Sequence, residues 1–349
     1  MKRLYNRINR AILKKVVEES SIQRRTLSFY RYAHIQDPLQ FRDTLYQQLE
    51  ERGVLGRIYI APEGINGQIS IPKDQITDFQ TYISSIPILN DLRLNYAIED
   101  DTTSFFKLII KVRQKIVADG LNDDTFDVTD RGVHLDAQNF NQLTNQDETI
   151  IVDMRNHYES EVGHFENAIC PDVETFREAL PKVVEMLSDK KDQPIVMYCT
   201  GGIRCEKASA FLKHKGFKDV YQLDGGIIEY ARQVEAQGLE NKFKGKNFVF
   251  DERLGERISE EVISHCHQCG DACDTHTNCA NDACHMLFIQ CSTCAEKYAA
   301  CCSNKCADFI KLPQEEQKEK RKTEVFNGTK FGKGRYKANN SNAPVISST

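Results

Sequence analysis

Apolar and polar side chains alternate along Thr26-Leu-Ser-Phe-Tyr-Arg-Tyr-Ala33, and a period of two with aromatic residues predicts a half-buried strand. Ahead of it, Leu4, Ile8, Ile12 and Val16 recur at i, i+4, so residues 1–25 are expected to form a basic amphipathic helix. Asp37-Pro38 joins an N-cap to a proline at the first helical position and predicts a helix to about Arg52. Residues 56–61 and 67–72 read as two strands around a turn at Pro62-Glu-Gly-Ile-Asn-Gly67. Residues 73–86 follow as a helix, then residues 92–98 and 105–112 as further strands. Strand–helix–strand–strand–helix–strand is the order of a ferredoxin-like split βαβ domain, expected over residues 26–118.

A polar stretch at 118–132 ends that pattern and reads as a linker. Beyond it, short apolar runs alternate with helical spacing. Strands are expected at Thr149-Ile-Ile-Val-Asp153, Pro194-Ile-Val-Met-Tyr198 and Asp219-Val-Tyr-Gln-Leu223, with helices at 176–187, from Glu206, and at 227–236. Such alternation implies a doubly wound α/β domain over residues 130–242, its parallel sheet covered on both faces. Ligands of such sheets bind beyond the carboxyl ends of strands. Residues 243–257, charged and aromatic, are expected to wrap back over this unit. The architecture is therefore α/β and α+β multidomain, completed by a cysteine-rich module at 243–310 and a basic, partly disordered tail at 311–349.

Composition narrows the class. A chain of 349 residues calls for two or three domains, and 40% apolar with 28% charged residues suits a globular protein. No apolar run approaches the roughly 18 residues that span a membrane, and no signal-peptide core follows Met1, so a cytoplasmic location and no membrane partner are expected. Residues 1–26 hold eight Lys or Arg against two acids, and residues 311–349 hold nine against four. Basic ends suit contact with a polyanion such as RNA, and solvated arms explain them equally. In the tail, Lys330, Lys333, Arg335 and Lys337 interleave with Phe331 and Tyr336, a pattern open to both readings.

Ten of the thirteen cysteines fall between Cys266 and Cys306. Thiolate pairs two to four residues apart, repeated after about twenty, are the spacing of structural zinc. Two interleaved sites are expected: Cys266, Cys269, Cys291 and Cys294 on one ion, Cys279, Cys284, Cys302 and Cys306 on the other.

The candidate chemistry lies in Cys199-Thr-Gly-Gly-Ile-Arg-Cys205, at a strand-to-helix turn. Free backbone N–H groups and the positive end of a helix converge there and favour a thiolate. Gly201 and Gly202 allow the loop to curl, so that N–H groups from Thr200 to Ile203 face an anion or substrate, and Arg204 adds a fixed charge. Cysteine phosphatases need an arginine six residues after the cysteine. Here that position is Cys205, and the shorter loop suits a single sulfur atom. Cys205 is expected to pack inward, with a resolving role for a Cys199 adduct as the alternative. His134-Leu-Asp136 has the spacing of part of a non-haem iron triad, but a match that short carries no iron site. No Gly-x-Gly-x-x-Gly follows a strand, so the residues name no oxygen-activating cofactor.

Asp153-Met-Arg155, Glu159-x3-Gly163-His164-Phe165, the Cys199 loop and Leu223-Asp-Gly-Gly226 follow in an order that makes residues 149–237 resemble the rhodanese homology domain. Met197–Ala210, Ala61-Pro-Glu-Gly-Ile-Asn-Gly67 and Gly245-Lys-Asn-Phe-Val-Phe-Asp-Glu-Arg253 narrow the match. Over residues 26–306 the chain is similar to the rhodanese-like tRNA wobble-uridine 5-hydroxylases. The resemblance implies a reactive Cys199, a persulfide carrier in rhodaneses, with Arg204 stabilising its anion and Cys205, Asp153 and Arg155 as accessory residues. It also implies molecular oxygen as co-substrate, the anticodon loop of tRNA as partner, and oxygen insertion at carbon 5 of the wobble uridine. Two other readings stay open: a sulfurtransferase using a Cys199 persulfide, and a non-catalytic RNA-binding protein.

Overall fold

The computed structural model describes residues 8–99, 103–121, 125–328 and 335–336. Leu4, Lys330, Phe331, Lys333 and Lys337 lie outside the described residues. Asn9 caps helix α1 (Arg10–Glu18) by accepting the Ala11 N–H. Its apolar stripe stays in water, with Ile8, Ile12 and Val16 each more than half exposed.

Strands β1 (Arg24–Tyr32), β2 (Leu55–Ala61), β3 (Gly64–Pro72), β4 (Asn95–Tyr96) and β5 (Leu108–Val112) form one sheet in the order β4-β1-β3-β2-β5. Helix α2 (Pro38–Glu51) follows β1, and α3 (Ile76–Ser85) follows β3. The first four strands are antiparallel in the ferredoxin-like order, and β5 adds to the edge parallel to β2. Asp37 caps α2 as its sequence suggests, accepting the Leu39 and Gln40 N–H groups at 3.1 and 2.9 Å. The turn expected at 62–67 is tighter, because β3 begins at Gly64. A Cβ there would lie 2.1 Å from the Arg31 carbonyl oxygen, so only glycine permits this hairpin. Strand alternation buries Leu27, Phe29, Ile58, Ile60, Ile65 and Ile69 against α2 and α3. The opposite face carries Ser28, Tyr30, Arg57, Tyr59, Asn66 and Gln68, and it turns toward the second unit.

That unit runs β6 (Val133–Leu135), α4 (Ala137–Thr144), β7 (Ile150–Asp153), α5 (His157–Ser160), β8 (Gly163–Phe165), α6 (Phe176–Met186), β9 (Ile195–Tyr198), α7 (Ile203–His214), β10 (Val220–Leu223) and α8 (Gly226–Gln237). Its parallel sheet has the order β6-β10-β9-β7. The sequence pattern missed β6, only three residues long, and α4, which is largely polar. Asp136 starts α4 by accepting the Asn139 N–H at 2.8 Å. Along β9, Ile195 and Met197 face one core layer while Val196 and Tyr198 face the other, and Cys199 continues the first. The Cys199 loop therefore leaves the carboxyl end of a central strand.

Strand β11 (Phe243–Asn247) pairs antiparallel with β8 and with β12 (Glu256–Arg257), returning the chain to the second unit. The cysteine-rich module follows as hairpin β13 (His276–Asn278) and β14 (Leu287–Ile289), then α9 (Ser292–Lys297), α10 (Asn304–Phe309) and α11 (Gln314–Lys320). No described helix is long and apolar enough to cross a membrane.

Candidate active site and metal centres

Strand β9 ends at Tyr198 and α7 begins at Ile203, so the loop is only Cys199–Gly202. Arg204 and Cys205 consequently sit in the first helical turn. Of the two loop glycines, only Gly202 adopts the left-handed region, at φ +97°. Its N–H donates to Cys199 Sγ at 3.1 Å, and a Cβ there would lie 2.8 Å from the Tyr30 hydroxyl. Burial opposes charge on Cys199. The Cys205 thiol hydrogen bond, the Arg204 guanidinium and the Arg204 and Cys205 N–H groups outweigh it, bringing the Cys199 thiol down to about 6. Burial and the neighbouring Cys199 push the Cys205 thiol well up, so Cys205 stays protonated and donates.

Arg204 is itself held. It grips Glu159 through two hydrogen bonds of 2.7 and 2.9 Å and reaches Thr200 Oγ1 at 3.3 Å. Glu159 in turn accepts the Asn156 N–H at the start of α5. The Glu159 landmark thus sets the orientation of Arg204.

Asp153 and Arg155 are placed otherwise than an accessory role requires. Both are fully buried and pair with each other, and Arg155 also donates to the Gly163 carbonyl at 2.6 Å. Neither lines the cavity at Cys199. They fasten the end of β7 to β8. His134 accompanies Gln222 and Glu206, at 2.7 and 3.0 Å, while Asp136 caps α4, so the His-x-Asp spacing builds no shared ligand site. His164 Nδ1 lies 3.0 Å from the Phe165 carbonyl, and His157 Nδ1 lies 3.2 Å from that of Val173.

A cavity of about 660 Å³ opens over the loop, lined by Cys199, Thr200, Gly201, Ile203 and Arg204 on one side. The polar face of the N-terminal sheet forms another wall, and Tyr158, Phe176 and Phe250 supply rings. In the sequence, the only signal of this wall is the polar half of the strand alternation. Two residues that follow the loop dock the sheet: Glu206 accepts the Tyr30 hydroxyl at 3.1 Å, and Lys207 meets Glu63 at 2.8 Å. Lys207 is almost fully buried, with Asp119 at 3.7 Å on its other side. The Ala61–Gly67 motif therefore faces the Cys199 motif across the domain boundary.

The cysteine module assembles two quartets, Cys266, Cys269, Cys291, Cys294 and Cys279, Cys284, Cys302, Cys306, with ligand atoms within 4.8 Å of one another. Cys269–Cys291 and Cys284–Cys302 stand 3.6 Å apart and Cys302–Cys306 3.8 Å, far beyond a disulfide bond. Backbone N–H groups of Cys291 and Cys302 point at Cys266 and Cys279, and the Asn281 amide at Cys306. Each cluster could hold a metal ion. In the tail, Arg335 pairs with Asp172 and Glu174, and the Tyr336 ring stacks on Phe288, so these two residues are engaged within the chain.

Family profiles divide the chain along the same lines. A UPF0176 acylphosphatase like domain matches residues 24–116, a rhodanese-like domain residues 136–233, and the Rhodanase C-terminal family residues 244–307. Fold and site define a rhodanese-like protein whose Cys199 loop faces a second, acylphosphatase-like domain. The tRNA uridine(34) hydroxylase of Pectobacterium carotovorum subsp. carotovorum is 59% identical over 316 residues, covering 90% of this chain and 89% of that protein. Those of Photorhabdus laumondii and Leptospira interrogans are 55% and 54% identical, covering 96% of this chain and 95% and 91% of theirs. The chain belongs to the tRNA uridine(34) hydroxylase family.

Proposed function

We propose that this protein hydroxylates carbon 5 of the wobble uridine of tRNA, in the cytoplasm, with molecular oxygen as co-substrate. Identity of 59% over 90% of the chain to a protein of that name carries the reading, and a thiolate-forming Cys199 on an open cavity supports it. The anticodon loop suits such a site, because its unpaired bases enter a pocket without melting a helix. Replacing C–H by C–OH with O2 consumes two electrons and two protons from a donor and releases water. Within this scheme Cys199 is the sulfur-centred anion, Gly202 N–H and the Cys205 thiol hold it, and Arg204, fixed by Glu159, supplies positive charge. Thr200, Gly201 and Ile203 border the substrate space. Cys205 acts as a hydrogen-bond donor, and Asp153 and Arg155 as scaffold.

The cysteine quartets suit zinc. Tetrahedral Zn–S bonds of about 2.3 Å place sulfurs about 3.8 Å apart, close to the 3.6–3.8 Å separations here. A zinc ion in each would staple a module that has little apolar core of its own.

Nucleoside analysis of tRNA from a strain lacking the gene tests the activity. Loss of 5-hydroxyuridine-derived wobble nucleosides is expected, with isotope from labelled O2 appearing in the hydroxyl of the purified reaction. Loss of a thiolated nucleoside instead would make the protein a sulfurtransferase.

A further inference from the structure

The motif Ala61–Gly67 is more than a docking hairpin. In β3, Asn66 and Gln68 point away from the apolar core, and the sheet register extends them into two rungs across three strands. One rung is Tyr30–Asn66–Tyr59 and the other Ser28–Gln68–Arg57. This face carries polar side chains and borders an opening of about 660 Å³, within the range of small-ligand sites.

Asn66 has a defined orientation. Its Nδ2 donates to the Ile116 carbonyl at 3.2 Å, and a carbonyl can only accept, so the amide cannot be turned over. Oδ1 is thereby presented as an acceptor, with no hydrogen-bond partner among the described residues. Uracil carries a hydrogen on N3, whereas cytosine has a bare acceptor there at neutral pH. An amide oxygen that cannot rotate into a donor accepts from the first and repels the second. Arg57, one strand over, is exposed, lines the same cavity and forms no ion pair among the described residues. An unpaired guanidinium at the rim suits a phosphate oxygen.

The geometry points to this face as the nucleotide-reading wall of the active site: Asn66 Oδ1 accepts the imino N–H of the target uracil, and Arg57 holds a backbone phosphate beside it. The inference rests on the wobble-uridine reading above and assigns the substrate's recognition to the N-terminal domain. Gly67 makes the wall possible, since a Cβ there would lie 2.4 Å from the Phe29 ring and force the strands apart.

Fluorescence anisotropy with the full chain and anticodon stem-loop RNAs carrying uridine, cytidine or 3-methyluridine at position 34 tests it. Wild type is expected to prefer uridine over both others. Asn66→Ala is expected to lose roughly five- to fiftyfold of the uridine-over-cytidine preference. Arg57→Ala is expected to weaken both RNAs alike and to lower the salt slope by about one. An unchanged preference in folded Asn66→Ala, or equal binding of uridine and 3-methyluridine RNAs by wild type, overturns the base contact. The second comparison needs no variant, so it stands even where Asn66→Ala misfolds. Unchanged affinity in Arg57→Ala overturns the phosphate contact. Hydroxylation is assayed separately on wild type. Product without uridine preference sinks the wall alone, whereas selective binding without product supports the wall and sinks the activity.

Discussion

Cys205→Ala isolates the contact that does most to keep Cys199 ionised. Burial raises the Cys199 thiol, and the Cys205 hydrogen bond leads the opposing contacts that bring it to about 6. A hydrogen bond to a charged group is worth about 1.5–3 kcal/mol, and one pH unit corresponds to about 1.4 kcal/mol. Losing it moves the midpoint up by roughly one to two units, to between about 7 and 8. At pH 7 the thiolate fraction then falls from about nine-tenths to less than half. Cys205→Ser keeps an O–H donor in place and is expected to stay near the wild-type midpoint. Because the folded-state value is depressed from 9.0, the thiolate stabilises the fold fully above pH 9 and loses that contribution as pH falls through 6. The assay is the pH dependence of Cys199 alkylation by iodoacetamide, read by peptide mass spectrometry. Its rate should rise through the midpoint and level off. A wild-type midpoint near 9, or identical midpoints in the Ala and Ser variants, would refute the reasoning.

Three further outcomes are expected. Cys199→Ser should abolish wobble-uridine hydroxylation while the protein stays folded, and residual activity would remove this thiol from the chemistry. Cys284→Ser strips one donor from a buried quartet, so elemental analysis should find about one metal equivalent fewer per chain, with faster proteolysis between residues 276 and 310; an unchanged metal content counts against that site. Lys207→Met removes the buried ammonium between Glu63 and Asp119; Asp119 keeps Lys115 at 2.8 Å, so the cost falls below the about 3–5 kcal/mol of a fully orphaned buried charge. Its melting temperature should drop by several degrees, while Lys218→Met, which removes an exposed partner of Asp192, leaves it in place; equal drops would deny the clamp any special weight.

What was legible in the chain follows from how local each signal is. A cysteine between an apolar run and a helical run needs only its neighbours to be placed, and so does a helix capped by Asp37-Pro38. The quartets were readable because paired thiols leave few ways to close two tetrahedra. Other features depend on partners far along the chain. Asn66 and Gln68 looked like ordinary polar alternation, because nothing nearby in sequence says that Cys199 stands opposite them. Arg155 looked chemical beside Asp153, but its guanidinium is consumed by the Gly163 carbonyl eight residues on. Strand β6 escaped notice because three residues with an exposed Val133 carry too little periodicity. The amphipathic stripe of α1 is legible as a pattern, but its exposure is not, since amphipathicity does not guarantee a neighbour.

The first turn of α7 holds four consecutive residues with four different duties. Arg204 answers to Glu159, Cys205 to Cys199, Glu206 to Tyr30 and Lys207 to Glu63. One helical turn moves as a unit, so whatever loosens the grip on Tyr30 and Glu63 also disturbs the cradle of the sulfur. A chain cut within residues 118–132 would yield two pieces, each with its own apolar core: the contacts that hold the thiolate would stay with the second, and the polar wall that faces it would leave with the first. The thiolate thus belongs to one module, whereas the pocket around it exists only once both have been assembled.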